Sequence, residues 1–137
     1  MTKKRNKEFM LMEYDLVIYP IKVWIGISKD LIPLVEMFLD YDNMKSFRID
    51  DVERDVDAFT ATVVDKTTNK IGVLLFFHGI ESCYNGIIVH EVTHAVQRIW
   101  KRIGERKPGK EATAYLMEYL AGLVEEVKVK YNGSKEN

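Results

Sequence analysis

The apolar residues near the N-terminus follow a period of two. Over residues 21–27 an isoleucine or valine occupies every second position, with lysine, tryptophan and glycine between them. This alternation is typical of a β-strand, because successive side chains of a strand point to opposite faces. Proline lacks the amide hydrogen of a strand ladder, so Pro20 favours an edge position or a break near the start of this strand.

The next segments predict a helix, a loop and a hairpin. The apolar residues of SKDLIPLVEMFLD, residues 28–40, have helical spacing, with Ser28 or Asp30 as the N-cap. The segment of residues 41–57, which is rich in aspartate, is expected to form a loop. Two β-rich runs, AFTATVVD and KIGVLLFF, then flank the polar residues 66–69, which is typical of a β-hairpin.

Two longer amphipathic segments follow the hairpin. Apolar residues recur at helical spacing between Asn85, the expected N-cap, and Gly104, the expected end. Pro108 suits the first turn of a last helix, which carries apolar residues from Ala112 to Val127. The order strand, helix, hairpin, helix, helix predicts an α+β domain, in which helices pack on a small, mostly antiparallel sheet of one strand plus a hairpin.

Length and charge narrow the class of protein. The 137 residues suffice for one domain with its own core, expected over residues 9–137 after a basic, flexible tail at residues 1–8. The 20 basic and 21 acidic residues leave a net charge of −1, which indicates no nucleic-acid partner. A single cysteine, Cys83, favours a reducing compartment. Because no signal peptide and no run of about 18 apolar residues is visible, we expect a cytoplasmic protein without a membrane anchor.

The sequence HEVTH lies inside the first of the two long helices. His90 and His94 are four residues apart, so both imidazoles point to one side of the helix and can bind one zinc ion. Glu91 lies about 100° further around the helix axis. There it can accept a proton from a water molecule in an open coordination position of the metal. The same three residues could also be ordinary polar positions of an amphipathic helix.

A catalytic zinc site has three protein ligands and one open position, so a third ligand is expected. We look for it on the last helix, which follows the HEVTH helix after a short turn. Glu111 lies 17 residues after His94, near the start of that helix, and is the expected ligand. Glu118, seven residues further along, is an alternative, or a partner for an imidazole N–H. His78, at the end of the preceding strand, is a second alternative.

The segment IIVHEVTHAVQ resembles the active-site helix of the zincin metallopeptidases and is similar to that of thermolysin. The order strand, hairpin, HExxH helix and glutamate-bearing helix is similar to the minimal gluzincin domains of phages and prophages and of ImmA/IrrE-like proteins. In that family the second helix carries a glutamate followed by small residues and an aromatic, a pattern that KEATAYLMEYL fits. The resemblance covers residues 57–125 and implies a zincin-like fold with one zinc ion.

Several other side chains have expected roles. Tyr115, one turn beyond Glu111, can stabilise an oxyanion during catalysis or lie in the core. Cys83 is expected to be a buried structural thiol and not a metal ligand. The strand KIGVLLFF directly precedes the zinc helix, and if it is the sheet strand closest to that helix, its free edge can pair with an extended peptide. Core positions are expected for four further aromatic residues: Trp24, Phe76, Trp100 and Tyr119.

Two functions of different classes fit these features. The first is a zinc-dependent peptidase that hydrolyses a restricted protein or peptide substrate with a metal-activated water and Glu91 as general base. The second is a non-enzymatic, zinc-stabilised accessory module, such as a phage protein, that binds a protein partner. Glu91 favours the enzyme, because a structural zinc site has no use for a base. The sequence names neither the substrate nor the oligomeric state, and a phage-encoded chain would act in the cytoplasm of its host.

Overall fold

One mixed β-sheet forms the centre of the protein. The computed structural model describes residues 2–5, 9–16, 19–47 and 57–136. The strands in this part of the chain are β1 (Thr2–Arg5), β2 (Phe9–Asp15), β3 (Lys22–Ser28), β4 (Phe38–Asp40), β5 (Lys45–Ser46), β6 (Ala58–Asp65) and β7 (Ile71–Phe77). These seven strands pair in the order β1-β2-β3-β7-β6-β4-β5.

The same part of the chain forms three α-helices and one short 3₁₀ turn. The turn, Ile80–Ser82, connects β7 to the second helix, and the helices are α1 (Ile32–Met37), α2 (Asn85–Ile103) and α3 (Lys110–Glu136). The α+β class predicted from the sequence is therefore confirmed. Not one of these described helices has both the length and the apolar character that a membrane span requires.

The sheet is mixed because β3 and β7 run parallel, with Trp24 opposite Leu74. Its other neighbouring strands run antiparallel. The prediction of a mostly antiparallel sheet is confirmed in part. The predicted sheet of one strand plus a hairpin is too small, because the described sheet has seven strands. The sequence pattern does not predict β2, because residues 9–12 are all buried and apolar. Without polar residues between them, these positions show no alternation.

Two segments expected to be irregular contain strands. Thr2–Arg5, within the segment predicted as a flexible tail at residues 1–8, pair with β2, and Lys4 lies opposite Leu11. Backbone hydrogen bonds can hold an edge strand whose sequence has no apolar run. The loop predicted at residues 41–57 contains β5, and its residues 48–56 lie outside the described residues.

The hairpin predicted around residues 66–69 is confirmed as β6, a turn and β7. The carboxylate of Asp65 accepts a hydrogen bond of 2.8 Å from the amide of Thr67, and Asn69 has a φ of 62°, which asparagine tolerates in turns. However, β7 lies between β3 and β6. The prediction that β7 offers a free edge to a peptide is therefore wrong. Its apolar run is that of a central strand, buried on both faces.

The helix predicted over residues 28–40 is shorter than expected. Ser28 belongs to β3, the helix begins after Leu31 as N-cap, and the chain returns to the sheet at Phe38. The carboxylate of Asp30 accepts a hydrogen bond from the amide of Ile32, at 3.0 Å, one position before that N-cap. The buried side chain of Phe38 explains the early end, because its place in the sheet next to β6 competes with the helix.

The sheet has a hydrophobic core on each face. On one face α2 packs against β6 and β7, and α3 packs against β2 and β3. The side chains of Val23, Ile25 and Ile27 point into this core. Trp24 and Phe76 point to the opposite face, where they pack with residues of α1 and β4, so both are core residues as predicted. The alternation along β3 thus assigns its residues to the two cores.

Candidate functional site

The helix α2 presents its polar residues in two directions. Its buried face includes Ile88, Val92 and Ile99, which pack on the sheet. His90 and His94 lie on the exposed side, one helical turn apart. The predicted end of this helix at Gly104 is confirmed, with a φ of 79° that favours glycine, whereas the N-cap is Tyr84 and not Asn85.

The two imidazoles lie close together. The Nε2 atoms of His90 and His94 are 3.2 Å apart, and the rings are at 79° to each other with centroids 4.7 Å apart. Two nitrogen ligands at about 2.0–2.1 Å from a tetrahedral zinc are separated by about 3.3–3.4 Å. The pair therefore fits two neighbouring positions of a zinc ion with little change of the side chains.

The second ring nitrogen of His94 also has a polar neighbour. The side-chain oxygen of Gln97 lies 3.4 Å from its Nδ1 atom. A hydrogen bond from Nδ1 to this oxygen would leave the lone pair on Nε2, the atom that faces His90. The arrangement of these three side chains is thus compatible with a metal ligand at Nε2.

The carboxylate of Glu91 lies against β6. It is only 6% exposed, and its Oε1 atom accepts a hydrogen bond of 2.7 Å from the hydroxyl of Thr60. The same hydroxyl lies 3.1 Å from the backbone oxygen of Glu91. Thr60 is the residue that sequence reasoning missed. Nothing in the local pattern of β6 distinguishes it from Thr62, the other threonine of that strand.

Polar contacts continue along the same side of α2. Arg98 donates a hydrogen bond of 3.1 Å to the hydroxyl of Thr62 and lies 3.5 Å from the carboxylate of Asp42. One turn further, Arg102 donates to the hydroxyl of Tyr41 at 3.2 Å, with its guanidinium 5.2 Å from the centre of that ring. These contacts fix the rotation of α2 relative to β6, and therefore fix where Glu91 and the histidines point.

The third ligand does not join the histidine pair. No set of three His, Cys, Asp or Glu side chains that could hold a metal is present in residues 2–5, 9–16, 19–47 and 57–136. Glu111 is exposed in the first turn of α3. His78 is half-buried at the end of β7, where its amide donates to the backbone oxygen of Asp57 at 2.8 Å. The structure therefore brings His90 and His94 together and does not add Glu111 to them.

Tyr115 and Glu118 lie on another flank of α3. Both line a pocket that contains none of His90, Glu91 and His94. Tyr115 is 67% exposed, so it is not a core residue. The pocket that it lines does not include the histidine pair. Tyr119 lines the same pocket and is 47% exposed, so the prediction that it is a core residue is wrong. Trp100 is buried, as predicted.

Cys83 is buried, as expected for a structural thiol. Burial raises the pKa of its thiol to about 12, with smaller effects from the charges of Lys128, which lowers it, and of Glu125 and Glu81. A thiol with so high a pKa is protonated at neutral pH, and a metal ligand must be a thiolate. The arrangement agrees with a residue that fills space beneath the start of α2.

Comparisons with protein-family models, with curated proteins and with solved structures found no match to this chain. The resemblance to gluzincin domains consequently remains a prediction that depends on the HEVTH helix and the KEATAYLMEYL helix.

Proposed function

We propose that the protein is a zinc-dependent peptidase in which His90 and His94 hold one zinc ion and Glu91 is the general base. The observation that carries this proposal is the separation of 3.2 Å between the two Nε2 atoms, on the exposed side of α2. This separation matches that of two ligands of one tetrahedral ion, while a hydrogen bond between the two imidazoles is the alternative that the metal measurement distinguishes.

A bound zinc ion would act as a Lewis acid and lower the pKa of its water towards about 7. Glu91 would accept the proton of that water. The Thr60 hydroxyl bonds to the Oε1 atom of Glu91 and so positions the carboxylate, while no described residue donates to the other carboxylate oxygen. That second oxygen is the atom that we assign to proton transfer.

The substrate class follows from the edge of β6. β4 pairs only with Val63–Asp65, so the outer edge of residues 58–61 has no strand partner within the described parts of the chain. This edge includes Thr60 and therefore lies beside Glu91. An extended peptide that paired there would bind through its backbone and bring a carbonyl close to the base. The edge is short, which favours a restricted segment of a protein as substrate.

One observation favours a second function, a zinc-stabilised module without enzymatic activity that binds a protein partner. Glu91 is buried and bonded to Thr60, and this contact ties α2 to β6 whether or not catalysis occurs. In such a module the carboxylate would be structural and the histidine pair would anchor a metal for stability. The two functions differ in what the loss of the negative charge at residue 91 does.

Metal content tests the ligands. We expect about one zinc per chain after dialysis of purified protein, measured by elemental analysis, and a loss of most of it in His90→Ala and in His94→Ala. His78→Ala is the matched control, since it removes the third histidine of the chain and should retain the metal. Stoichiometric zinc in His90→Ala would place the site elsewhere. Glu111→Ala, measured beside Glu118→Ala, shows whether either carboxylate contributes to binding in solution.

Activity tests the base. Glu91→Gln retains an oxygen that can accept the Thr60 hydrogen bond, so zinc and fold should be preserved, but it cannot take a proton. Cell proteomes incubated with wild type should contain cleavage products that disappear with Glu91→Gln and with a chelator, and a loss of general-base catalysis costs about 10²–10⁴-fold in rate. Identical products with wild type and Glu91→Gln would favour the non-enzymatic module.

A further inference from the structure

A cavity of about 760 Å³ lies on the flank of α3, between this helix and the side chains of Leu16 and Tyr19. α2 contributes no residue to its lining, so the cavity is separate from the histidine pair. Its volume lies in the range of about 300–1,000 Å³ that is typical of small-molecule sites. Its walls include Leu16, Tyr19, Tyr115, Glu118, Tyr119 and Glu126.

Three tyrosine rings form much of the wall. Tyr19 is fixed by an edge-to-face contact with Trp100, with ring centroids 5.5 Å apart and planes at 79°. Tyr115 and Tyr119 are 67% and 47% exposed, and their rings are large apolar surfaces in contact with solvent. The face of an aromatic ring carries partial negative charge and attracts cations within about 6 Å.

The charged residues of the wall have the same sign. Glu118 and Glu126 are both lining residues, and no lysine or arginine is among them. Glu126 forms an ion pair of 3.3 Å with Lys130, but both partners are about half exposed, and such pairs are weak. The cavity therefore presents an excess of negative charge beside aromatic rings.

Tyr14 does not line the cavity, but it interacts with Glu126 of its wall. Its hydroxyl oxygen is buried and has no hydrogen bond of good geometry to a described residue. Burial, and then the negative charge of Glu126, raise the pKa of Tyr14 to about 12. The negative charge of Glu126 thus disfavours a second negative charge beside it.

We propose that this cavity binds a small organic cation, a protonated amine or quaternary ammonium group on an apolar body. The tyrosine rings would contact the charged group and its apolar body, and Glu118 and Glu126 would supply the counter-charge. The volume is larger than one lysine side chain requires, which favours a free small molecule. The proposal does not depend on the zinc site.

The test uses the full chain and four probes in NMR titrations of amide signals. The probes are 2-phenylethylamine and benzyltrimethylammonium, which are cations, 2-phenylethanol, which is neutral, and phenylacetate, an anion. Ligands of this size bind with a Kd on the order of millimolar. Both cations should bind about tenfold more tightly than the alcohol, which corresponds to a modest cation–π and charge contribution. Phenylacetate should not bind.

Two variants locate the binding. Glu118→Gln combined with Glu126→Gln should weaken both cations about tenfold and leave the alcohol unchanged. Gly122→Leu should fill the cavity, because a Cβ atom added at Gly122 meets no atom within 4 Å and the residue lines the wall. Gly133→Leu is the matched control, since it adds the same side chain to α3 outside the cavity, again with no atom within 4 Å of the new Cβ.

The proposal is overturned if the alcohol binds as tightly as the amine, because the carboxylates would then be irrelevant. It is equally overturned if no cation shows saturable shifts up to about 20 mM, well above the affinity expected for such ligands. Cation binding that survives in Gly122→Leu would place the ligand elsewhere on the surface. Melting temperatures of the variants no lower than that of wild type would show that the losses are not due to unfolding.

Discussion

Thr60→Val should destabilise the protein by about 1.5–3 kcal/mol, the contribution of a hydrogen bond to a charged group. The substitution preserves the shape of the side chain and its preference for a strand, and removes only the hydroxyl. That hydroxyl donates at 2.7 Å to the carboxylate of Glu91, which is 6% exposed and has little access to water as a substitute. The estimate therefore belongs near the upper end of this range.

Urea unfolding at pH 7, followed by far-UV circular dichroism, measures the effect. With a urea dependence of about 1.5 kcal/mol/M, the midpoint should fall by about 1–2 M while the slope stays unchanged. Thr60→Ser is the control, because it retains the hydroxyl and should lose much less. Thr62→Val removes a different hydroxyl, which accepts from Arg98 at 3.1 Å, and should cost less because the ion pair with Asp42 remains.

A double-mutant cycle isolates the contact between the two residues. Glu91→Gln converts the bond to a neutral one, so Thr60→Val should cost only about 0.5–1.5 kcal/mol in that background. If Thr60→Val lies within about 0.5 kcal/mol of wild type, the hydrogen bond does not hold α2 on β6 in solution. An equal cost in both backgrounds would mean that the effect comes from valine and not from the carboxylate.

Four further outcomes follow from single positions. Gly72→Ala should destabilise the protein by about 3 kcal/mol in the same urea assay, because the new Cβ would lie 2.3 Å from the backbone oxygen of Lys22. Gly122→Ala should stabilise the protein by about 0.5–1 kcal/mol, because it replaces a helix-interior glycine with free space around it. Iodoacetamide at pH 8 should modify Cys83 in urea but not in the folded protein, whose thiol has a pKa of about 12; fast native labelling would contradict its burial. Folding raises the pKa of Tyr14 from 10 to about 12, so the stability that its phenol contributes is present below pH 10 and is lost as the pH rises to 12. Tyr14→Phe should therefore lose less stability than wild type over that interval, and parallel curves of stability against pH would refute this.

The helices of the predicted site could be anticipated because their patterns are long and periodic. The 19 residues of α2 give several repeats of the apolar face, and the i, i+4 spacing of His90 and His94 fixes their common side without tertiary information. By contrast, β2 is buried on both faces, and β4 is only three residues long. Neither has a period that a sequence could display, so the size of the sheet and the central place of β7 could not be predicted.

Contacts between elements were out of reach for a different reason. The bond between Thr60 and Glu91 joins residues that are 31 positions apart, and it depends on the rotation of α2 over β6. The assignment of Glu111 required the corresponding rotation of α3, which spacing does not give. Tyr115 illustrates the error: its apolar ring suggested a core position, but it precedes the buried Leu116 by one residue and is therefore turned about 100° towards the outer flank.

The Thr60–Glu91 contact links the stability of the fold to the proposed chemistry, and two substitutions separate these roles. Glu91→Gln preserves a hydrogen-bond acceptor for Thr60 but removes the ability to accept a proton. Thr60→Val leaves the carboxylate basic but no longer positions it. In a peptidase, both variants should lose activity, and Thr60→Val should lose more stability than Glu91→Gln. In a zinc-stabilised module, Thr60→Val should again be the less stable variant, while the phenotype of Glu91→Gln should equal that of wild type. The stability measurement thus tests the geometry, and only the comparison of activities tests the function.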